Sequence, residues 1–326
     1  MNTAVTATGV TIRPFSADDY AAITRLYNAT FEEFSVLDDE FAFEDHKRPA
    51  HCCWARWVAE RDGDVIGFGQ YTQAEGTYHP RKFQLAIIVE PRHQQNGVGG
   101  RLYDVVVEAL QQLNPLTADE WSREDMACRV GFLERRGFVA DMRQWTSALD
   151  LTRFEPGAFE SAVAVVEAQG IELKCLAELG TADESVHRNL YELWRELRHD
   201  VPIPPDDVRA EVSFETWWAR NDRPDLLPDA YFVALDGQRY VGTSQLWRSP
   251  EPVELRTGLT GVRRAYRRRG IAQALKLKSL AVGKAEGFAR AVTENEINNQ
   301  GMIGINDRLG FVKRPAYVHY LKSWPA

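Results

Sequence analysis

The stretches VRRAYRRRGIAQALKLKSLAV (262–282) and VEPRHQQNGVGGRLYDVVVEAL (89–110) decide how this chain is read. Each runs from a valine through a glycine turn into a helical pattern. Each is followed by a second landmark, INDRLGF (305–311) or FLERRGF (132–138). Gly97 and Gly270 lie 173 positions apart, and so do Gly137 and Gly310. Two landmarks sharing one offset mark a duplication.

The flanking sequence supports this. The first half predicts a strand over Val10–Phe15 and a helix capped by Ser16 and running to about Phe31. Strands near Trp54–Glu60 and Val65–Thr72 meet at Asp62-Gly63-Asp64. A longer strand near Lys82–Val89 feeds the glycine turn. A helix, a strand near Leu116–Trp121, a helix over Asp125–Arg136 and a strand after Gly137 follow. The second half repeats the order: strand Ile171–Leu176, helix Ala182–Arg198, strands Tyr231–Leu235 and Tyr240–Trp247, and strand Val253–Val262. It continues with helix Gly270–Glu286, strand Ala289–Thr293, helix Asn299–Leu309 and strand Phe311–Leu321. The expected domains are 1–154 and 171–326, joined by a helical connector at 155–170 that Gly170 ends.

The 326 residues suffice for two domains, each able to bury a core. At 44% hydrophobic and 26% charged the composition is globular. A net charge of -8 argues against a nucleic-acid partner. Cys52, Cys53, Cys128 and Cys175 have no metal-ligand spacing, so no metal is expected, and they read as free thiols in a reducing compartment. No signal peptide or apolar run of about 18 residues is present, so a cytoplasmic protein without a membrane contact is expected.

A strand that stops at a glycine turn and opens a helix is an anion site, because the first helical N–H groups have no partner. A diphosphate is the natural guest. A dinucleotide fold would place G-x-G-x-x-G after its first strand, and here the turn follows about three. A P-loop would need G-x-x-x-x-G-K-[ST], which is absent.

Gln94-Gln95-Asn96-Gly97-Val98-Gly99 and Arg267-Arg268-Arg269-Gly270-Ile271-Ala272 resemble the acetyl-CoA motif Q/R-x-x-G-x-G/A of the GNAT superfamily. The resemblance covers nearly the whole chain, and the tandem layout looks like the mycothiol synthase type. It implies an α+β fold class: two tandem GNAT folds, each a mostly antiparallel central mixed sheet flanked by helices. It implies that the segments Gln95–Gly100 and Arg268–Ala272 hold the pyrophosphate of acetyl-CoA, with Gly100 in the first turn. Strands ending at Val89 and Val262, with Thr260 on the second, would pair with the pantetheine arm. Arg267, Arg268 and Arg269 would add charge near the phosphates; read without the resemblance, they form a solvated face. Thr293-Glu294-Asn295, Asn299, Met302 and Asn306 resemble a further GNAT pattern, in which Asn299 and Asn306 contact CoA. Asn299 reads equally as a helix cap.

Acyl transfer to an amine requires a base, an oxyanion site and a proton for the leaving thiolate. The family often has a tyrosine four residues before the glycine of the second landmark. Here that position is Leu133 or Asn306, a departure in both halves. For the base, the family's strand position is Phe83 or Arg256, so Glu254, two residues before Arg256 on the same face, is the candidate. The bland reading of Glu254 is a surface pair with Arg256. The first half reads as degenerate. An acceptor pocket in the second half points to Asp200–Asp207, Trp217, Trp218, Tyr317 and Tyr320, although the tryptophans read equally as core.

The function expected is an acetyl-CoA-dependent N-acetyltransferase acting on a primary amine of a small molecule in a ternary complex, as a monomer or homodimer. The alternatives are a non-catalytic acyl-CoA sensor or scaffold, and a peptide or protein N-acetyltransferase.

Overall fold

The computed structural model describes residues 9–31 and 35–325. Its first elements are β1 (Val10–Pro14), α1 (Tyr20–Thr30), α2 (Glu40–Lys47), β2 (Ala55–Arg61), β3 (Asp64–Thr72) and β4 (Lys82–Val89). Then come α3 (Val98–Gln111), β5 (Thr117–Arg123), α4 (Ala127–Glu134), β6 (Val139–Asp150) and α5 (Glu160–Glu167). The second half holds β7 (Ile171–Cys175), α6 (Leu176–Leu179), α7 (Glu184–Leu197), α8 (Phe214–Asn221), β8 (Phe232–Asp236) and β9 (Arg239–Ser244). It continues with β10 (Leu246–Arg248), β11 (Glu254–Thr257), β12 (Gly261–Val262), α9 (Ile271–Ala285) and β13 (Arg290–Glu296). α10 (Gln300–Leu309), β14 (Val312–Lys313) and β15 (Tyr317–Ser323) end the chain.

The repeat is legible in backbone conformation. Shifting β5 by 173 positions gives β13 residue for residue. Gly97 and Gly270 sit at φ 81° and 83°, and Gln95 and Arg268 at φ 62° and 59°. Positive φ is costly for a side-chain-bearing residue, so its recurrence at one offset means that both turns have the same shape.

Two compact units result: Met1–Met142 with Pro204–Glu211 and Val318–Ala326, and Arg143–Ile203 with Val212–Tyr317. The expected boundary at 154 is therefore displaced. β6, from Arg143 onward, belongs to the C-terminal unit, and the chain's final strand belongs to the N-terminal one. Periodicity places strands but does not say which sheet a chain-terminal strand joins. The segment expected as a connector is also part of a core: α5 seats Val166 among Ile171, Phe232 and Ile271.

In the N-terminal unit β1, β2, β3 and β4 are antiparallel neighbours, β5 runs parallel to β4, and β15 lies beside β5. Asp62 and Gly63, at φ 53° and 88°, close the β2–β3 hairpin with the positive dihedrals that a type I′ turn needs. Phe83, Leu85, Leu102, Val106 and Leu133 fill the core beneath. In the C-terminal unit one sheet runs β6, β13, β11, β10, and another β12, β9, β8, β7. The expected strand Val253–Val262 is thus two pieces. Gly258 sits at the break, where an added Cβ would lie 2.6 Å from Trp247 Nε1 and 2.7 Å from Gln245 Cγ. Among the described residues no helix is long and apolar enough to cross a membrane.

His319, 2% exposed, anchors the final strand in the N-terminal unit. Its Nδ1 lies 2.6 Å from Asp141 and its Nε2 3.2 Å from Asp119. Burial acts to lower its pKa, but Asp119 and Asp141 outweigh burial and the net shift is upward. A raised folded pKa stabilises fully below the ordinary value of about 6.5 and is lost as pH rises through the folded value. Thermal stability is therefore expected to fall as pH rises above about 6.5. His319→Gln should remove about 3–5 kcal/mol at acidic pH, since it breaks a buried pair. Melting curves of both proteins across that range check this; a variant that keeps the wild-type slope excludes the role.

Candidate active site

In both units the parallel pair splays. β4 and β5 pair over Lys82–Gln84 with Thr117–Asp119, and β11 and β13 over Glu254–Arg256 with Arg290–Val292. Beyond these pairs the two units differ.

In the N-terminal unit the gap is filled by an ion pair. Glu120, 4% exposed, takes the Ile87 amide at 3.2 Å, and Arg129 donates to the Ile87 carbonyl at 2.8 Å. Arg129 and Glu120 are joined to each other, and Arg129 stacks over Phe31. Burial pushes the Glu120 carboxyl up against the pull of Arg129. What remains is a cavity of about 380 Å³, bordered by Val89, Gln94, Gln95, Gly97, Gly99 and Gly100. Asn96 is not on its wall.

In the C-terminal unit the equivalent positions are Thr293 and Met302, which bring no charge. A cleft of about 860 Å³ opens between the turn and the splay. Thr260, Val262, Arg267, Arg268, Gly270, Ile271 and Ala272 line it, with Glu294 and Asn299 opposite. The first amides of the 15-residue α9 open at this turn. Arg267 also donates to the Val262 carbonyl at 3.1 Å, just as Gln94 donates to Val89 at 2.9 Å, so it holds the turn against the strand. Val98 and Ile271 are buried, and they reach the turns through their backbones.

Several expected residues are elsewhere. Arg269 turns away, its Nε 2.8 Å from Gln169 and its guanidinium over Tyr266. Asn306 is buried behind the wall; its amide donates to Asn295 at 2.5 Å and its oxygen accepts from Lys276 at 2.6 Å. Asn299 does cap α10, accepting from Met302 N at 3.3 Å, while it also borders the cleft.

Glu254 is corrected as the base. It is 2% exposed and off the cleft, 2.6 Å from Arg290 Nε and 3.2 Å from Ser249 Oγ. The early break in the strand leaves it outside the splay. Glu294, on β13, borders the cleft together with Asp200 and Glu296. It is open to solvent there, yet desolvation by the surrounding protein pushes it up to about 7, against the attraction of Arg256. The sequence offered Glu294 within the Thr293-Glu294-Asn295 run, but the strand alone does not say which side chain meets the cleft.

The residues expected to form the acceptor pocket fall in both units. Asp206, Asp207 and Tyr320 belong to the N-terminal unit, where Asp206 pairs with Lys82 at 2.8 Å. Trp217 is core, and Trp218 packs on His187 at 3.8 Å. Asp200 borders the cleft but is held below the usual carboxylate range by its bonds to Arg264 and Arg267. Tyr317 is buried.

Residues 20–138 and 188–311 each match the Acetyltransferase (GNAT) family. The chain belongs to this family. As a GNAT protein it is an N-acetyltransferase. The two matches stop short of β6 and β15, the strands that each unit receives from outside its own half. A 106-residue stretch is 33% identical to N-alpha-acetyltransferase 30 of Schizosaccharomyces pombe, over 30% of this chain and 69% of the relative. A tandem GNAT protein from the clavulanic acid biosynthesis pathway is 18% identical, with TM-score 0.74 over 97% of this chain and 99% of that one. A GCN5-related N-acetyltransferase from Sphaerobacter thermophilus is 20% identical, with TM-score 0.69 over 98% and 97%. The two structures share the fold.

Proposed function

We propose that the C-terminal unit moves the acetyl group of acetyl-CoA to a primary amine of a small molecule by direct attack in a ternary complex. The observation that carries this is the contrast between the splays: one is filled by Glu120 and Arg129, while the other opens on a cleft of about 860 Å³. The turn at Arg268–Ala272 would hold the pyrophosphate. The strand around Thr260–Val262 would take the pantetheine arm and polarise the acetyl carbonyl through a backbone N–H. Glu294 would take one proton from the incoming ammonium, the neutral nitrogen would then attack the carbonyl carbon, and the second proton of that nitrogen would pass to water as the tetrahedral adduct collapses. The sulfur leaves with the electron pair of the C–S bond. Glu294 and Glu296 at the same cleft favour a cationic acceptor.

A peptide amine is the second reading, favoured by the stretch that is 33% identical to N-alpha-acetyltransferase 30. Thiol release across parallel panels of small amines and short peptides separates the two.

The binding half is tested by calorimetry with acetyl-CoA. Ala272→Glu places a carboxylate at the turn and is expected to weaken binding at least about 100-fold, a loss of about 2.7 kcal/mol. Gly99→Glu should leave the affinity unchanged. Tight binding by Ala272→Glu would move the cofactor elsewhere, and a wild type that binds no acetyl-CoA would end the reading.

A further inference from the structure

Lys276 has no role in the chemistry set out so far, yet it borders the cleft while being 1% exposed. Among the described residues its Nζ donates to Asn306 Oδ1 at 2.6 Å and to Thr293 Oγ1 at 3.3 Å, and lies over the Phe311 ring at 4.6 Å. None of these three groups is charged. A buried lysine ordinarily sits with a carboxylate, and a methionine would fill the space without the desolvation cost. An ammonium has three protons to donate, and two are placed. Burial alone brings the amine down to about 7.

Position gives the group its task. Lys276 lies six residues beyond Gly270, about 9 Å along the helix from the turn that would hold the pyrophosphate. Through Thr293 it is tied to the wall of the splay that would take pantetheine. Asn306, which it contacts, stands where GNAT proteins often have a tyrosine. The first half has Leu133 there, with Tyr103 at the position of Lys276.

We propose that Lys276 is the proton donor to the departing CoA thiolate. This rests on the acetyl-transfer reading above. As the C–S bond breaks, the sulfur keeps the bonding pair and an Nζ–H proton passes to it, giving CoA thiol and a neutral amine. The acceptor nitrogen has given up two protons, one to Glu294 and one to water, and Lys276 has lost one. Exchange with solvent after product release resets both.

The test uses the whole chain with CoA and acetyl-CoA. The donor acts only while protonated, so wild-type kcat should fall on the alkaline side as the amine loses its proton at about 7; in Lys276→Met that descending limb should be absent. With acetyl-CoA and an acceptor amine, Lys276→Met and Lys276→Arg should both lose about 10²-fold in kcat, with acetyl-CoA affinity within about threefold. Arginine keeps the charge but does not release a proton at working pH. Restoration of kcat by Lys276→Arg would make the residue a fixed charge and overturn the proposal. So would a descending limb of kcat that persists in Lys276→Met, even with the acetyl-transfer reading intact. Absence of CoA binding in wild type would end both.

Discussion

Glu294→Gln is expected to lower kcat by about 10²–10⁴, the range that a general base supplies, while acetyl-CoA binding stays unchanged. The amide keeps the shape but cannot take a proton. An aliphatic amine arrives mostly protonated at neutral pH, so a base poised near 7 serves better than an ordinary carboxylate. Desolvation brings Glu294 to about 7. The base acts when ionised, so kcat/KM for wild type should rise with pH through about 7, and that ascending limb should vanish in Glu294→Gln. Retention of kcat within about threefold would show that no general base operates at this position. Retention of the limb at reduced kcat would assign the titration to another group.

The tandem fold was legible because both of its signals are local. A glycine at positive φ and a helix beginning after it are written within a few residues, and a shared offset needs no knowledge of contacts. β4 lies where the sequence places it, since an apolar run bounded by turn residues leaves little freedom. What failed depends on tertiary placement. The expected strand breaks at Gly258, where Trp247 and Gln245, more than ten positions away, approach so closely that a Cβ would not fit. That break removed Glu254 from the cleft and left Glu294 there. Asp206 and Asp207 looked like acceptor groups beside Asp200 in sequence, yet the chain carries them into the other unit. The final strand looked like the natural end of its own half. The plug at Glu120 and Arg129 was invisible, because two charged residues nine positions apart read as surface.

That plug supplies the second large effect. Arg129→Met alone leaves Glu120 buried without its partner, and the cost is expected to be about 3–5 kcal/mol. The repeat itself names a pair of residues that an unplugged splay tolerates: Thr293 and Met302 stand at the positions of Glu120 and Arg129. Glu120→Thr with Arg129→Met should therefore recover most of the loss, because neither residue brings a charge into the gap. It should also free the Ile87 amide and carbonyl, which the pair now occupies at 3.2 Å and 2.8 Å. The turn beside them already has the shape of its counterpart, with Gly97 at φ 81° against 83° for Gly270. Calorimetry should then count two acetyl-CoA sites in the double variant against one in wild type, and urea melts should place its stability near wild type and above Arg129→Met. Two sites in wild type would mean that pantetheine displaces the pair unaided. A stable double variant with one site would mean that the cavity of about 380 Å³ is closed to the cofactor by something other than this pair.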